Sequence, residues 1–213
     1  MKKSNFFKNI AEKPSKSLFF VFLPIIFFKK GTMENIIAIN DRKFVKYILK
    51  DEISAAVNKV AAEINEDYKN DVPLIIITLS GALIFAAELV QKLTINCRIT
   101  AVKLSSYHGG LSSTSKVESL IGLTENIKDQ RVIIIEDIVD TGNTYEHMLN
   151  LLNEQSPKDV QIATMTFKRE TYKKNIPVKY VGIEIPNKFI VGHGLDYQDL
   201  GRNLPDIYQL YEE

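Results

Sequence analysis

The stretch from Arg131 to Leu152, RVIIIEDIVDTGNTYEHMLNLL, changes character twice, and each change limits what the chain can fold into. Val132–Ile135 is an unbroken β-branched run, the pattern of a strand buried on both faces. Glu136 and Asp137 put two adjacent carboxylates at the C-terminal end of that run. Asp140-Thr141-Gly142-Asn143-Thr144 is a short turn of small and hydroxyl residues. Tyr145, Met148, Leu149 and Leu152 then fall at i, i+3, i+4 and i+7, the spacing of an amphipathic helix. Strand, acidic pair, tight turn and helix in succession mark the edge of an open α/β sheet where ligands bind.

The rest of the chain repeats the alternation. Ile53, Val57, Val60, Ala61 and Ile64 predict a helix over about Asp51–Tyr68. Leu74–Leu79 (LIIITL) reads as a buried strand, Ser80-Gly81 as a tight turn, and Ala82–Leu93 as a helix with Leu83, Ala86, Ala87 and Val90 inward. Strands are expected at Ile99–Leu104, Val160–Phe167 and Val178–Ile185, with a short extended piece at Lys188–Val191. Ser105–Lys116 (SSYHGGLSSTSK) has no period and the composition of a mobile loop. Lys168–Lys174 (KRETYKK) is a basic turn, and Leu204–Tyr211 is too short to classify. Strands alternating with helices give an α/β fold with a mostly parallel sheet. On this reading Leu79–Gly81 and Asp140–Thr144 share one edge of the sheet.

Residues 1–32 differ in character from the remainder of the chain. Leu18–Phe28 is apolar but about half the ~20 residues needed to cross a bilayer, and Pro24 interrupts it. The expectation is an N-terminal extension outside the fold, with residues 33–213 forming the working domain. A short membrane-associating anchor is the alternative, and stable membrane insertion is not expected. A net charge of +1 gives no general case for nucleic-acid binding. The single cysteine, Cys97, allows no internal disulfide and fits a reducing, cytoplasmic setting.

The central turn offers backbone amides at a helix N-terminus and the hydroxyls of Thr141 and Thr144, a ready phosphate cradle. Gly142 permits close approach or a positive φ. The Walker A spacing is absent. Glu136 and Asp137 can accept hydrogen bonds from sugar hydroxyls or hold a divalent cation through oxygen. Together these features describe a ribose 5-phosphate. Asp-Thr-Gly also occurs in aspartic proteases, but the chain has one copy, and the neighbouring acidic pair and immediate helix do not suit that site.

The Glu-Asp-x-x-Asp-Thr-Gly-x-Thr pattern after a β-branched strand resembles the phosphoribosyl diphosphate (PRPP) motif of type I phosphoribosyltransferases. Leu79-Ser80-Gly81, Ser106-Tyr107, Phe167-Lys168-Arg169, Pro186 to Gly192, Leu195-Asp196-Tyr197 and Gly201 to Pro205 are similar, in order and spacing, to the hypoxanthine-guanine branch of that family. The resemblance covers about Asn40–Tyr208. It implies the type I phosphoribosyltransferase fold: a mostly parallel twisted sheet flanked by helices, a small hood region and a mobile lid loop. It also implies a Mg²⁺-dependent purine-salvage enzyme that transfers the phosphoribosyl group from PRPP to a 6-oxopurine, hypoxanthine and also guanine, and assembles as a dimer or tetramer.

By the same resemblance Asp140 is the catalytic acid or base at the purine. Glu136 and Asp137 hold the ribose, and Asp140, Thr141, Gly142, Asn143 and Thr144 complete the PRPP site around the 5′-phosphate. Leu79, Ser80, Gly81 and Arg202 bind pyrophosphate, and the peptide entering that turn is often cis in the family. Ser80 stands where the family often has lysine, so only the backbone contact carries over. Lys168 donates to the 6-oxo group, which disfavours 6-amino purines. Phe189 stacks on the base and Ile190 lies at its edge. Glu136, Asp137 and Asp196 are the Mg²⁺ ligands, and Ser106 and Tyr107 belong to the lid. A regulator of the same fold that binds RNA is the competing reading. It would be expected to carry an extended basic face, which the near-neutral charge argues against.

Overall fold

The computed structural model describes residues 35–106 and 117–211, with the backbone alone at 105, 106 and 117–121. Two sheets organise them. The larger has six strands in the order β5-β4-β3-β6-β7-β8. Its strands are β3 (Leu74–Leu79), β4 (Arg98–Ser106), β5 (Val117–Ile121), β6 (Arg131–Val139), β7 (Asp159–Phe167) and β8 (Tyr180–Glu184). Five of them run parallel, and β5 closes one edge antiparallel to β4. The smaller sheet is antiparallel, in the order β1-β2-β10-β9, from β1 (Ile36–Ile39), β2 (Arg42–Ile48), β9 (Ile190–Val191) and β10 (Ile207–Leu210). It forms the hood.

Strand alternation decides which residues meet which helices. Ile75, Ile77, Ile133, Ile135, Ala163 and Met165 face α1 (Lys50–Asp67) and α2 (Leu83–Val90) in one core cluster. Leu74, Ile76, Val132, Ile134 and Ile162 face α3 (Asn143–Asn153) in the other, against Met148 and Leu152. Burying both faces explains why these strands read as unbroken apolar runs, each large side chain contributing about 1.5–3 kcal/mol.

The expected helices and parallel strands are present, with four differences. β6 does not end at Ile135 but continues through the acidic pair to Val139. α2 is shorter than expected and turned: Phe85, Ala86 and Leu89 are buried, whereas Leu83 and Ala87 are exposed. A helix apolar on nearly every side carries no period from which its inner face can be read. β1 and β2 precede the first expected helix and β5 follows the Ser105–Lys116 loop, all three unanticipated. The unclassified tail is β10, an inner strand of the hood. The expectations for residues 1–32, for Tyr107 and for the side chain of Ser106 lie outside the described residues.

Candidate active site

β3 and β6 are neighbours in the sheet, so the turns that leave them lie side by side. The peptide Leu79–Ser80 is cis. Gly81 follows it, packed so tightly on β6 that a Cβ there would lie 1.7 Å from Asp137 Oδ2. Only a glycine permits this approach. Asp137 Oδ1 accepts a hydrogen bond from the amide of Ile138 at 2.8 Å. Burial pushes the Asp137 carboxyl up, an effect opposed by its backbone hydrogen bonds and by the charge of Arg202 and reinforced by Asp196.

Those last two residues arrive from the segment that links the hood strands. Arg202 Nη1 donates to the Gly194 carbonyl at 2.8 Å, and Nη2 pairs with Asp196 Oδ1 at 2.6 Å. Asp196 Oδ2 accepts the amide of Asp199 at 2.8 Å. The cis turn, Asp137, Asp196 and Arg202 therefore meet on one side of the sheet edge.

Glu136 does not join them. Alternation along β6 sends it to the opposite face, beside Thr78, whose hydroxyl also reaches Met148 Sδ at 3.7 Å. Glu136 is buried and its Oε1 has no hydrogen-bond partner. Burial and the charge of Asp137 push its pKa up to about 8, which the Thr78 hydroxyl only partly offsets. The sequence places the two carboxylates together, and the pleat of the strand separates them. Among the described residues no group of three or more His, Cys, Asp or Glu side chains is gathered to hold a metal. Asp137 and Asp196, both hard oxygen donors near Arg202, fit an ion such as Mg²⁺ that takes one or two carboxylates and fills its remaining positions from substrate and water.

The turn after β6 leads directly into α3. Gly142 adopts φ +84° at the N-terminus of α3, where the amide of Asn143 donates to the Thr141 hydroxyl at 3.5 Å. Thr141, Asn143 and Thr144 are exposed while Gly142 is buried. A Cβ on Gly142 would come within 2.4 Å of Tyr172 Cε2 and 2.8 Å of Lys174 Cγ. The basic segment after β7 thus folds back over the turn. Tyr172 packs edge-on against Phe167 at 5.3 Å, and Lys174 is tied to Glu146 at 2.7 Å.

Asp140 lies where the two halves meet. Its Oδ2 takes the Lys168 ammonium at 2.8 Å, and its Oδ1 accepts the Thr171 hydroxyl. Lys168 also donates to Asn187 Oδ1 at 3.4 Å. Burial disfavours the Asp140 charge, but the bonds from Lys168 and Thr171 outweigh it and hold the carboxyl below its ordinary value. Beyond Asn187 stands Phe189, 48% exposed, its ring edge-on to Tyr197 at 5.9 Å and tilted against Phe44 at 6.2 Å. Ile190, the next residue, is buried in β9.

Asp140, Lys168, Phe189, Asp196 and Arg202 are named from the sequence; Thr171, Asn187, Tyr172, Lys174, Tyr197 and Thr78, which the structure places beside the named residues, are not. A signal for Thr171 existed: it follows Lys168 by three residues, which in a tight turn puts both side chains on the same side.

The comparisons with known proteins agree with this geometry. The profile of the phosphoribosyl transferase domain matches residues 47–198. A hypoxanthine-guanine phosphoribosyltransferase of Streptococcus pneumoniae is 37% identical over 174 residues, covering 82% of this chain and 96% of the relative. One from Staphylococcus epidermidis is 40% identical over 165 residues, covering 77% and 92%. A crystal structure of a hypoxanthine phosphoribosyltransferase from Staphylococcus aureus superposes with a TM-score of 0.70 at 32% identity, covering 78% of this chain and 90% of that one. The matched segment contains the cis turn, the acidic strand end, the phosphate cradle and the Asp140–Lys168 pair. On sequence, fold and site alike, the chain belongs to the phosphoribosyl transferase family.

Proposed function

We propose that the chain transfers the 5-phosphoribosyl group of PRPP to hypoxanthine, and also to guanine, forming IMP or GMP and pyrophosphate in purine salvage. The observation that carries this reading is the Lys168–Asp140 ion pair, held between the N-terminus of α3 and the exposed ring of Phe189. One group suits an acceptor carbonyl, the other a ring N–H, and the phosphate cradle lies one residue away.

In the reaction N9 of the purine supplies the electron pair for the new bond to C1′. The bond from C1′ to the pyrophosphate oxygen breaks, and that oxygen leaves with the pair. The proton lost by the base moves from N7 to Asp140 Oδ2. Lys168 turns from Asp140 to the 6-oxo group as the base enters, and Phe189 stacks on the ring. The amides and hydroxyls of Thr141–Thr144 hold the 5′-phosphate. Leu79–Gly81 and Arg202 receive the pyrophosphate, the arginine with two N–H groups in a planar fork. Asp137 and Asp196 are the side chains that would hold Mg²⁺; Glu136, on the other face of β6, does not reach them. Such an ion neutralises pyrophosphate charge when bound.

Residues 33–213 carry this activity, and the extension before them does not. The exposed Leu83 and Ile84 of α2 support a homo-oligomer, dimer or tetramer, and the single cysteine supports a cytoplasmic enzyme. The test is product formation. Purified protein given PRPP, Mg²⁺ and hypoxanthine yields IMP, and folded protein that yields none overturns the reading. Competition among hypoxanthine, guanine and xanthine then ranks the bases.

A further inference from the structure

Asp140 is gripped at both oxygens by one short turn. Lys168 and Thr171 are three residues apart, and the amides of Thr171 and Tyr172 both reach back to the Lys168 carbonyl, at 3.3 and 3.2 Å. That closes a single helical turn and points both side chains the same way. Lys168 Nζ takes Oδ2 and the Thr171 hydroxyl takes Oδ1. The Thr171 hydroxyl has one proton and two acceptors in reach, Asp140 Oδ1 and the Lys168 carbonyl at 3.2 Å. A carboxylate is the stronger acceptor, so the proton goes to Asp140.

The two prongs differ in what the substrate does to them. In the proposed reaction Lys168 leaves Asp140 when it turns to the purine 6-oxo group. Thr171 has no other task. We infer that Thr171 is a positioning residue for proton transfer: it keeps Oδ1 of Asp140 bonded after Lys168 departs, so that Oδ2 alone faces the base. This rests on Asp140 as the group that takes the purine proton. Lys168 is the charged group acting on Asp140 from the same turn, and Asn187, from the segment entering the hood, is neutral. Thr171 is among the groups that keep the carboxyl below its ordinary range. Its loss leaves a base that is worse oriented and more easily protonated.

Thr171→Val keeps the shape and removes the hydroxyl, and Thr171→Ser restores the hydroxyl with less bulk. For the valine variant kcat falls about ten-fold while KM for PRPP changes by less than about two-fold, the size expected of a lost hydrogen bond to a charged group. The acid limb of its kcat/KM profile for hypoxanthine moves up by about half to one pH unit. The serine variant returns both to near the parent. Thermal melts check that each protein is folded, and Thr171→Ala replaces the valine variant if that one is not. An unmoved acid limb in a folded valine or alanine variant overturns the proposal, as does a serine variant no better than the valine one. Asp140→Asn, measured alongside, separates the two levels. If it loses kcat while the valine variant does not, Thr171 alone is wrong. If it keeps full kcat, the proton-transfer reading beneath the proposal is wrong as well.

Discussion

Gly81 and Asp137 interlock: the backbone of one occupies the space in which a methyl group would meet a carboxylate oxygen of the other at 1.7 Å. The contact joins the turn after β3 to the strand end of β6, so these two parts of the candidate site cannot move independently.

Gly81→Ala therefore acts on both. One of the two elements must shift, and overpacking of this kind costs about 1–3 kcal/mol. The expected outcome is a lower melting temperature with at least a ten-fold loss in kcat/KM for PRPP, roughly the effect of a misplaced reacting group. Initial rates at varied PRPP, with a melting curve, check this. An alanine variant of parental kcat/KM would mean that Asp137 moves aside freely.

Phe189 offers the contrast. Nearly half of its surface is exposed, so truncation removes little from the core. Phe189→Ala is expected to raise KM for hypoxanthine about ten-fold through lost stacking while stability changes by less than about 1 kcal/mol. KM for PRPP stays near the parental value. A large stability loss with unchanged base kinetics would return Phe189 to the hood core, through its contacts with Phe44 and Tyr197.

Glu136 predicts a pH dependence. Its pKa in the folded protein is about 8, above its unfolded value, because burial and Asp137 oppose its charge. Between roughly 4.5 and 8 the folded state binds more protons than the unfolded one, so this group makes stability fall as pH rises. The penalty begins as the unfolded carboxyl ionises and is complete above pH 8. Glu136→Gln removes it. The variant is expected to be more stable than the parent by more than about 1 kcal/mol at pH 8, and to converge on it near pH 4. Denaturant unfolding at several pH values checks the slope.

Asp206 behaves in the opposite sense. Burial opposes its charge, but Lys46 at 2.8 Å and the amide of Lys50, also at 2.8 Å, hold its carboxyl below the ordinary range. A depressed carboxyl contributes stability above its unfolded pKa and loses it as pH falls through the folded one. Asp206→Ala is expected to cost about 1–3 kcal/mol at neutral pH by leaving the Lys46 charge and the Lys50 amide without their partner, and less in acid. Urea unfolding at neutral and acid pH measures the difference.

Much of this site is legible in the sequence because strand ends and turns concentrate it. The Ile-rich runs fix β3 and β6, and the residues after them in sequence are the residues after them in space. What is not legible depends on geometry that a linear pattern does not carry. Glu136 and Asp137 read as a pair, yet the pleat sends them to opposite faces. Thr171 reads as one residue of a charged turn until that turn is placed beside Asp140. The hood escapes notice because β2 carries four charged or polar-tipped residues in seven, Arg42, Lys43, Lys46 and Tyr47, and lacks the continuous apolar run of a buried strand.

The hood also sets an order of events. Its inner strand β10 is the last of the described elements, yet it lies between β2 and β9, and the amide of Leu210 donates to the carbonyl of Phe189 at 2.8 Å. All strands of the large sheet are complete by Glu184. During synthesis the turn after β6 can therefore form while β2 still shows an open edge and the Phe189 carbonyl lacks its Leu210 partner. Long-range pairing of this kind is slow and leaves edges exposed in the meantime. The hood beside Phe189 is completed last, and a nascent chain that stops short of Leu210 carries the turns after β3 and β6 without a finished hood.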